Sequence, residues 1–156
     1  MLSEQGFLVT GVDPSTTGIH VAEQAYPEVR FAARSSHDDL AAEFGEFDAV
    51  VSLEVMEHCF CPRPLADNLF SLLRPGGVAL ISTPFHGYWK DLALALAGHF
   101  DRHWSPLWDG GHIKFWSESI LRALLEEAGF EDIRFRRIGR IPPLAKSMLA
   151  IARAPK

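Results

Sequence analysis

The stretch that most limits how this chain can fold covers residues 47–84. A mostly apolar run, Phe47–Leu53, leads into Glu54-Val55-Met56-Glu57-His58. A segment with Leu65, Leu69, Leu72 and Leu73 along one helical face follows, and Arg74-Pro75-Gly76-Gly77 stops it. A second apolar run then ends at Thr83-Pro84. Near-continuous apolar runs of this length read as strands buried on both faces, and a Pro-Gly-Gly stop ends the helix between them. The order strand, acidic-histidine turn, helix, strand predicts a parallel α/β sheet whose strand ends aim polar residues at one crevice. Glu54, Glu57 and His58 stand at i, i+3 and i+4, so one helical turn would point three metal-type ligands the same way.

The remaining segments extend this alternation. Residues 7–12 and 29–33 read as strands. Asp13-Pro14-Ser15 starts a helix between them carrying Ile19, Ala22 and Tyr26, and residues 37–44 read as a short helix. Ser117 caps a helix with Ile120, Leu121, Leu124, Leu125 and Ala128 on one face, and Gly129 is its left-handed stop. Residues 130–138 and 147–152 are two final strands, too close in sequence for a helical crossover, so they pair antiparallel. Residues 85–115 differ in character, holding three of the four tryptophans (Trp89, Trp104, Trp108) and several histidines. They read as a lid-like insertion with a short helix around residues 91–97. That helix is apolar all round over Leu92-Ala93-Leu94-Ala95-Leu96-Ala97, which predicts burial rather than membrane contact.

With 156 residues, 47% apolar and 22% charged, the chain suits a single globular domain, residues 1–156, and is too apolar for disorder. A net charge of -5 gives no reason to expect a nucleic-acid partner. Arg134, Arg136, Arg137 and Arg140 alternate with apolar residues as on a solvated strand face. No apolar run reaches membrane-span length, and the cytoplasm is the expected location. Cys59 and Cys61, one residue apart, suit neither a disulfide framework nor a C-x2-C zinc clip, so reduced packing thiols are expected.

Several motifs, taken together and in order, resemble the class I S-adenosylmethionine (SAM)-dependent methyltransferases of type 11. They are Gly11-Val12-Asp13-Pro14-Ser15, the run from Phe47 to His58, Leu72-Leu73-Arg74-Pro75-Gly76-Gly77 with the strand after it, and Leu124-Leu125-Glu126-Glu127-Ala128-Gly129-Phe130. Within the family the chain is most similar to the ubiquinone-biosynthesis O-methyltransferase branch. The resemblance implies a Rossmann-like fold with a mostly parallel sheet and an antiparallel last strand. It places Asp13 on the ribose hydroxyls of SAM, Ser35 and Ser36 beside the adenine, and Leu53 and Glu54 beside the methionine portion. A carboxylate offers two acceptors to a cis-diol, which suits Asp13. The family's first strand, central in its sheet, and the glycine-rich loop after it have no counterpart in this sequence. The chain therefore reads as lacking an N-terminal strand and helix, and weak SAM binding is expected of it alone.

In two related branches, the quinone O-methyltransferases and the small-RNA 3'-terminal 2'-O-methyltransferases, Glu-x-x-Glu-His with a later histidine binds a divalent cation. The matching residues here are Glu54, Glu57, His58 and His112, with Mg²⁺ or Mn²⁺ as the implied ion. Other relatives keep a Glu-His pair there without metal, with His58 orienting the loop or acting as a base. His86, after a strand end, is a second candidate base, against a plain packing role. Phe85, Tyr88, Trp89, Trp104 and Trp108 either wall an aromatic acceptor pocket or pack the insertion on the sheet.

The expected activity is O-methylation of a small hydroxylated or phenolic molecule. Three alternatives stand beside it: a non-catalytic or partner-dependent remnant, an RNA 2'-O-methyltransferase, and an NAD-dependent dehydrogenase, since Asp13 also suits an NAD ribose. A missing middle strand would leave two open edges, which makes a homodimer an expected partner state.

Overall fold

A computed structural model describes residues 2–104 and 107–156, without the side chain of Arg102. Positions 1, 105 and 106, which belong to the expected N-terminal segment and insertion, lie outside the described residues. Six strands form, β1 (Thr10–Asp13), β2 (Arg30–Ala33), β3 (Phe47–Leu53), β4 (Leu73–Pro84), β5 (Glu131–Ile138) and β6 (Ser147–Arg153). Six helices accompany them, α1 (Thr16–Ala25), α2 (Leu40–Phe44), α3 (Pro62–Ser71), α4 (Tyr88–Leu96), α5 (Phe100–Trp104) and α6 (Glu118–Glu127).

The strands sort into two sheets. β1 and β2 pair in parallel, and β3, β4, β6 and β5 form a second sheet in that order. β3 runs parallel to β4, while β6 lies antiparallel between β4 and β5. This is the expected mixture, with the late antiparallel pairing dictated by the short connection through Pro142–Leu144. Among the described residues, no strand joins β1 to β3, so the β3 edge of the larger sheet and both edges of the smaller one are unpaired.

Local sequence explains the elements well. Ser15 caps α1 by accepting from the Gly18 amide, and Ser117 caps α6 by accepting from the Ile120 amide. Gly129, at φ +103, follows α6 in the left-handed region. α3 buries Leu65, Ala66 and Leu69, and α6 buries Leu121, Leu124 and Leu125. Each leucine contributes about 1.5–3 kcal/mol on burial. They meet Ala79 and Ile81 of β4, with Met148, Ala150 and Ala152 of β6, in one core.

Three expectations need correction. β3 is not buried on both faces: Ala49, Val51 and Leu53 are exposed, because one edge is unpaired and little packs against it. The Pro-Gly-Gly stretch lies inside β4 as an irregularity rather than ahead of it, since register with β3 shifts between Leu73 and Val78. The apolar helix α4 is not buried either. Leu92 and Leu96 face solvent, and its buried residue is Lys90.

Candidate functional site

Most candidates from the sequence lie at the carboxyl end of a strand: Asp13 at β1, Ser35 and Ser36 after β2, Leu53 and Glu54 at β3, His86 after β4; His112 lies in the loop after α5. The ends are stitched together. Asp13 and Ala33 are register partners, and the Arg34 amide donates to the Asp13 carbonyl. From α3, the Asn68 amide donates to the carbonyls of Ser36 (2.7 Å) and Asp38 (2.9 Å). The Ser36 side chain also reaches the Cys59 thiol, which burial pushes up in pKa. The loop after β2 therefore lies against the turn after β3. Both cysteines are free, Cys59 half-buried and Cys61 exposed.

The turn after β3 differs from the single helical turn expected. Glu54 takes a left-handed backbone, φ +54, and only Met56–His58 form a 3-10 turn. A residue in that conformation cannot share a helical face with those that follow. Glu54 is held instead by Ser82, whose hydroxyl donates to its carboxylate at 2.8 Å, while the Glu54 amide donates to the Ser82 carbonyl.

Glu57, His58 and His112 do converge, with one ligand atom from each within 4.8 Å of the others. Glu57 is fully buried, and neither carboxylate oxygen has a hydrogen-bond partner among the described residues. Burial pushes its carboxyl above the ordinary range, and the nearby Glu54 charge adds to that. The hydroxyl of Thr83 is close but, itself buried, makes no hydrogen bond. His112 Nε2 stands 3.9 Å from the Glu57 carboxylate; burial, and then His58, lower its pKa and favour the neutral ring a metal needs.

The backbone around this trio is fixed from the insertion. His58 Nδ1 sits 2.8 Å from the Gly110 carbonyl and 3.3 Å from that of Gly111. Two carbonyls can only accept, so Nδ1 carries the proton and Nε2 is left with its lone pair outward. The amides of Ile113 and Lys114 both donate to the Glu57 carbonyl. Trp108 stands edge-on to both His58 and His112, at 6.2 and 5.7 Å between ring centres. Of the proposed aromatic wall, Tyr88 and Trp89 are exposed and only Phe85 is buried.

His86 lies apart from the trio, against Phe115 and His103 at 5.0 and 5.5 Å. Its Nδ1 is 3.6 Å from the Asp91 carboxylate, yet burial and the Lys90 charge outweigh that acid and lower its pKa to about 4. A ring so weakly basic takes a proton poorly at neutral pH. Next to it, a cavity of about 440 Å³ opens between α4, the loop carrying His112 and the β5–β6 connection. Its basic lining was missed in the sequence, because Lys90, His103, Arg140 and Lys146 have no common spacing.

A methyltransferase domain model matches residues 1–134. The chain belongs to the methyltransferase domain family. The domain is 33% identical over 130 residues to the ubiquinone biosynthesis O-methyltransferase of Caulobacter sp. strain K31, covering 80% of this chain and 51% of that protein. The Dinoroseobacter shibae enzyme of the same name is 30% identical over 137 residues, covering 85% and 54%. The chain thus spans about half the length of these curated relatives. In three dimensions the domain resembles a SAM-dependent methyltransferase from Archaeoglobus fulgidus, with a TM-score of 0.70, 16% identity, and 97% of this chain and 78% of that one covered. It also resembles the 1,6-didemethyltoxoflavin-N1-methyltransferase of Burkholderia thailandensis, solved with S-adenosylhomocysteine, at TM-score 0.67, 20% identity, and 99% and 64% coverage. The domain has the Rossmann-like methyltransferase fold, and family membership counts against the dehydrogenase alternative. No helix among the described residues is long and apolar enough to cross a membrane.

Proposed function

We propose that the domain serves a SAM-dependent O-methyltransferase acting on a small hydroxylated or phenolic molecule, assisted by a divalent cation, Mg²⁺ or Mn²⁺. The observation that carries the reading is Glu57. A fully buried carboxylate with no well-formed hydrogen bond among the described residues is destabilised unless a proton or a cation compensates it. Glu57, His58 and His112 would hold the ion, with Glu54 adding negative charge from beside them. When bound, such an ion supplies the Lewis acidity that lowers the pKa of an acceptor hydroxyl. The protein's own contribution is positional. Gly110 and Gly111 set the His58 tautomer, and the Ile113 and Lys114 amides hold the turn that carries Glu57.

Asp13 fits the cofactor part of the proposal. One carboxylate oxygen accepts from the Ser15 amide, which leaves the other to accept from a sugar hydroxyl. Ser35, Ser36 and Leu53 line the neighbouring strand ends, where the adenine and methionine portions would lie. The O-methyltransferase names of the relatives and the S-adenosylhomocysteine-bound neighbour support this choice of chemistry.

The test is direct titration of Mn²⁺, followed by calorimetry, into the protein and into Glu57→Gln. The variant should bind about tenfold more weakly or worse. Equal affinity in the two proteins would overturn the cation reading. The unjoined sheets favour a second reading, a non-catalytic or partner-dependent protein that needs another strand between β1 and β3. That reading expects little SAM affinity for the chain alone, and micromolar binding by calorimetry would remove it.

A further inference from the structure

Among the described residues, the buried side-chain oxygens and nitrogens without a hydrogen-bond partner belong to four residues, Ser52, Glu57, Thr83 and Trp116. Glu57 is the one acid among them and, when ionised, can only accept, while the other three can donate. Thr83 is the donor beside it. Both side chains are fully buried, and the threonine hydroxyl lies close to the Glu57 carboxylate. The carboxyl end of β4 places it there. Side chains alternate across a strand, so the consecutive residues Ser82 and Thr83 present their hydroxyls on opposite faces. The Ser82 hydroxyl takes the Glu54 carboxylate at 2.8 Å. Thr83 shares the face of Ile81 and of its register partner Met148, both in the core, and there it meets Glu57.

A carboxylate that gives one oxygen to a cation is held best when its other oxygen accepts from a fixed donor. We propose that Thr83 is the positioning residue of Glu57: its hydroxyl donates to one carboxylate oxygen, so that the other is turned to the ion between His58 and His112. The inference rests on the cation reading and adds to it a residue that touches no ion. Packing alone does not account for a threonine here, since a valine of the same shape would fill the space without burying an unpaired hydroxyl. A hydroxyl also turns about its C–O bond, so its proton meets the carboxylate without backbone movement.

The test is calorimetric titration of Mn²⁺ into the whole chain and its variants. Thr83→Val, with Thr83→Ala as a second way to remove the hydroxyl, should bind about tenfold more weakly or worse, and Thr83→Ser should bind as the unchanged chain does. Valine suits the surroundings of Ile81 and Met148, so the amide spectrum of Thr83→Val should keep the dispersion of a packed core. In the Glu57→Gln protein the Thr83→Val change should have no further effect, because a positioning residue acts only through the group it holds. Full affinity without the hydroxyl, loss in the serine variant, or an undiminished Thr83→Val effect on Glu57→Gln would each overturn the proposal. Absence of Mn²⁺ binding by the unchanged chain would remove the cation reading and this inference together. Binding by the unchanged chain with full affinity in Thr83→Val would remove this inference alone.

Discussion

Residues 10–44 and residues 47–154 repeat the same strand–helix grammar, but they are held together by different forces. The first region pairs β1 with β2 and packs α1 on them, and its buried apolar side chains are Ile19 and Leu40. The second contributes every member of the main core, from Met56 to Ala154. Parallel pairing alone makes no core, because a two-stranded sheet leaves both faces and both edges largely wet. The first region is attached to the second by α2 packing on α3 and by the Asn68 amide on the carbonyls of Ser36 and Asp38. Local opening should therefore begin in residues 10–44.

The contrast can be broken in four ways. Leu125→Ala, at a fully buried core position, should cost about 2–5 kcal/mol and lower the midpoint of the whole urea transition. Ile19→Ala should instead speed amide exchange only within residues 10–33. Equal global losses from both would mean that the two regions share one core after all.

Acid comes next in size, and it acts on the second region. Above about pH 6.5 His86 is neutral both folded and unfolded. Below it, the unfolded chain binds a proton that the fold resists until about pH 4. Stability should fall across that window by at most about 1.4 kcal/mol per pH unit, and His86→Gln should flatten the slope. An unchanged slope in the variant would assign the acid sensitivity elsewhere.

Asn68→Ala should cost about 1–2 kcal/mol by leaving two carbonyls without their donor. Its signature is lost exchange protection in residues 30–44 with the core amides unaffected. The smallest effect belongs to Val51→Thr. Val51 sits mid-strand in β3 yet is 44% exposed, so the change should stay within about 0.5 kcal/mol. A larger loss would show that β3 is covered in solution.

Much of this was legible in the residues. The bounds of β3 follow from its apolar run, and the stop of α6 from Gly129. The antiparallel β5–β6 pair follows from a short connection. Exposure was read wrongly where it depends on neighbours rather than on the segment itself. Val51 and Leu92 look like core residues, but no element lies over them. Glu54 was misplaced because nothing in Leu-Glu-Val marks a left-handed residue, although the Glu57, His58 and His112 grouping survived that error. The cationic cavity was invisible, since its lysines and arginine come from α4 and from either end of the β5–β6 connection.

The hydrogen bonds from the 110–114 segment to His58 and Glu57 have one more effect. His112 rides on that same segment, so swinging it outward would remove one ligand, unlock the ring of a second and loosen the backbone of the third. Ion capture and ordering of this segment would then be coupled, and a chelator added to the loaded protein should act only as fast as the segment detaches.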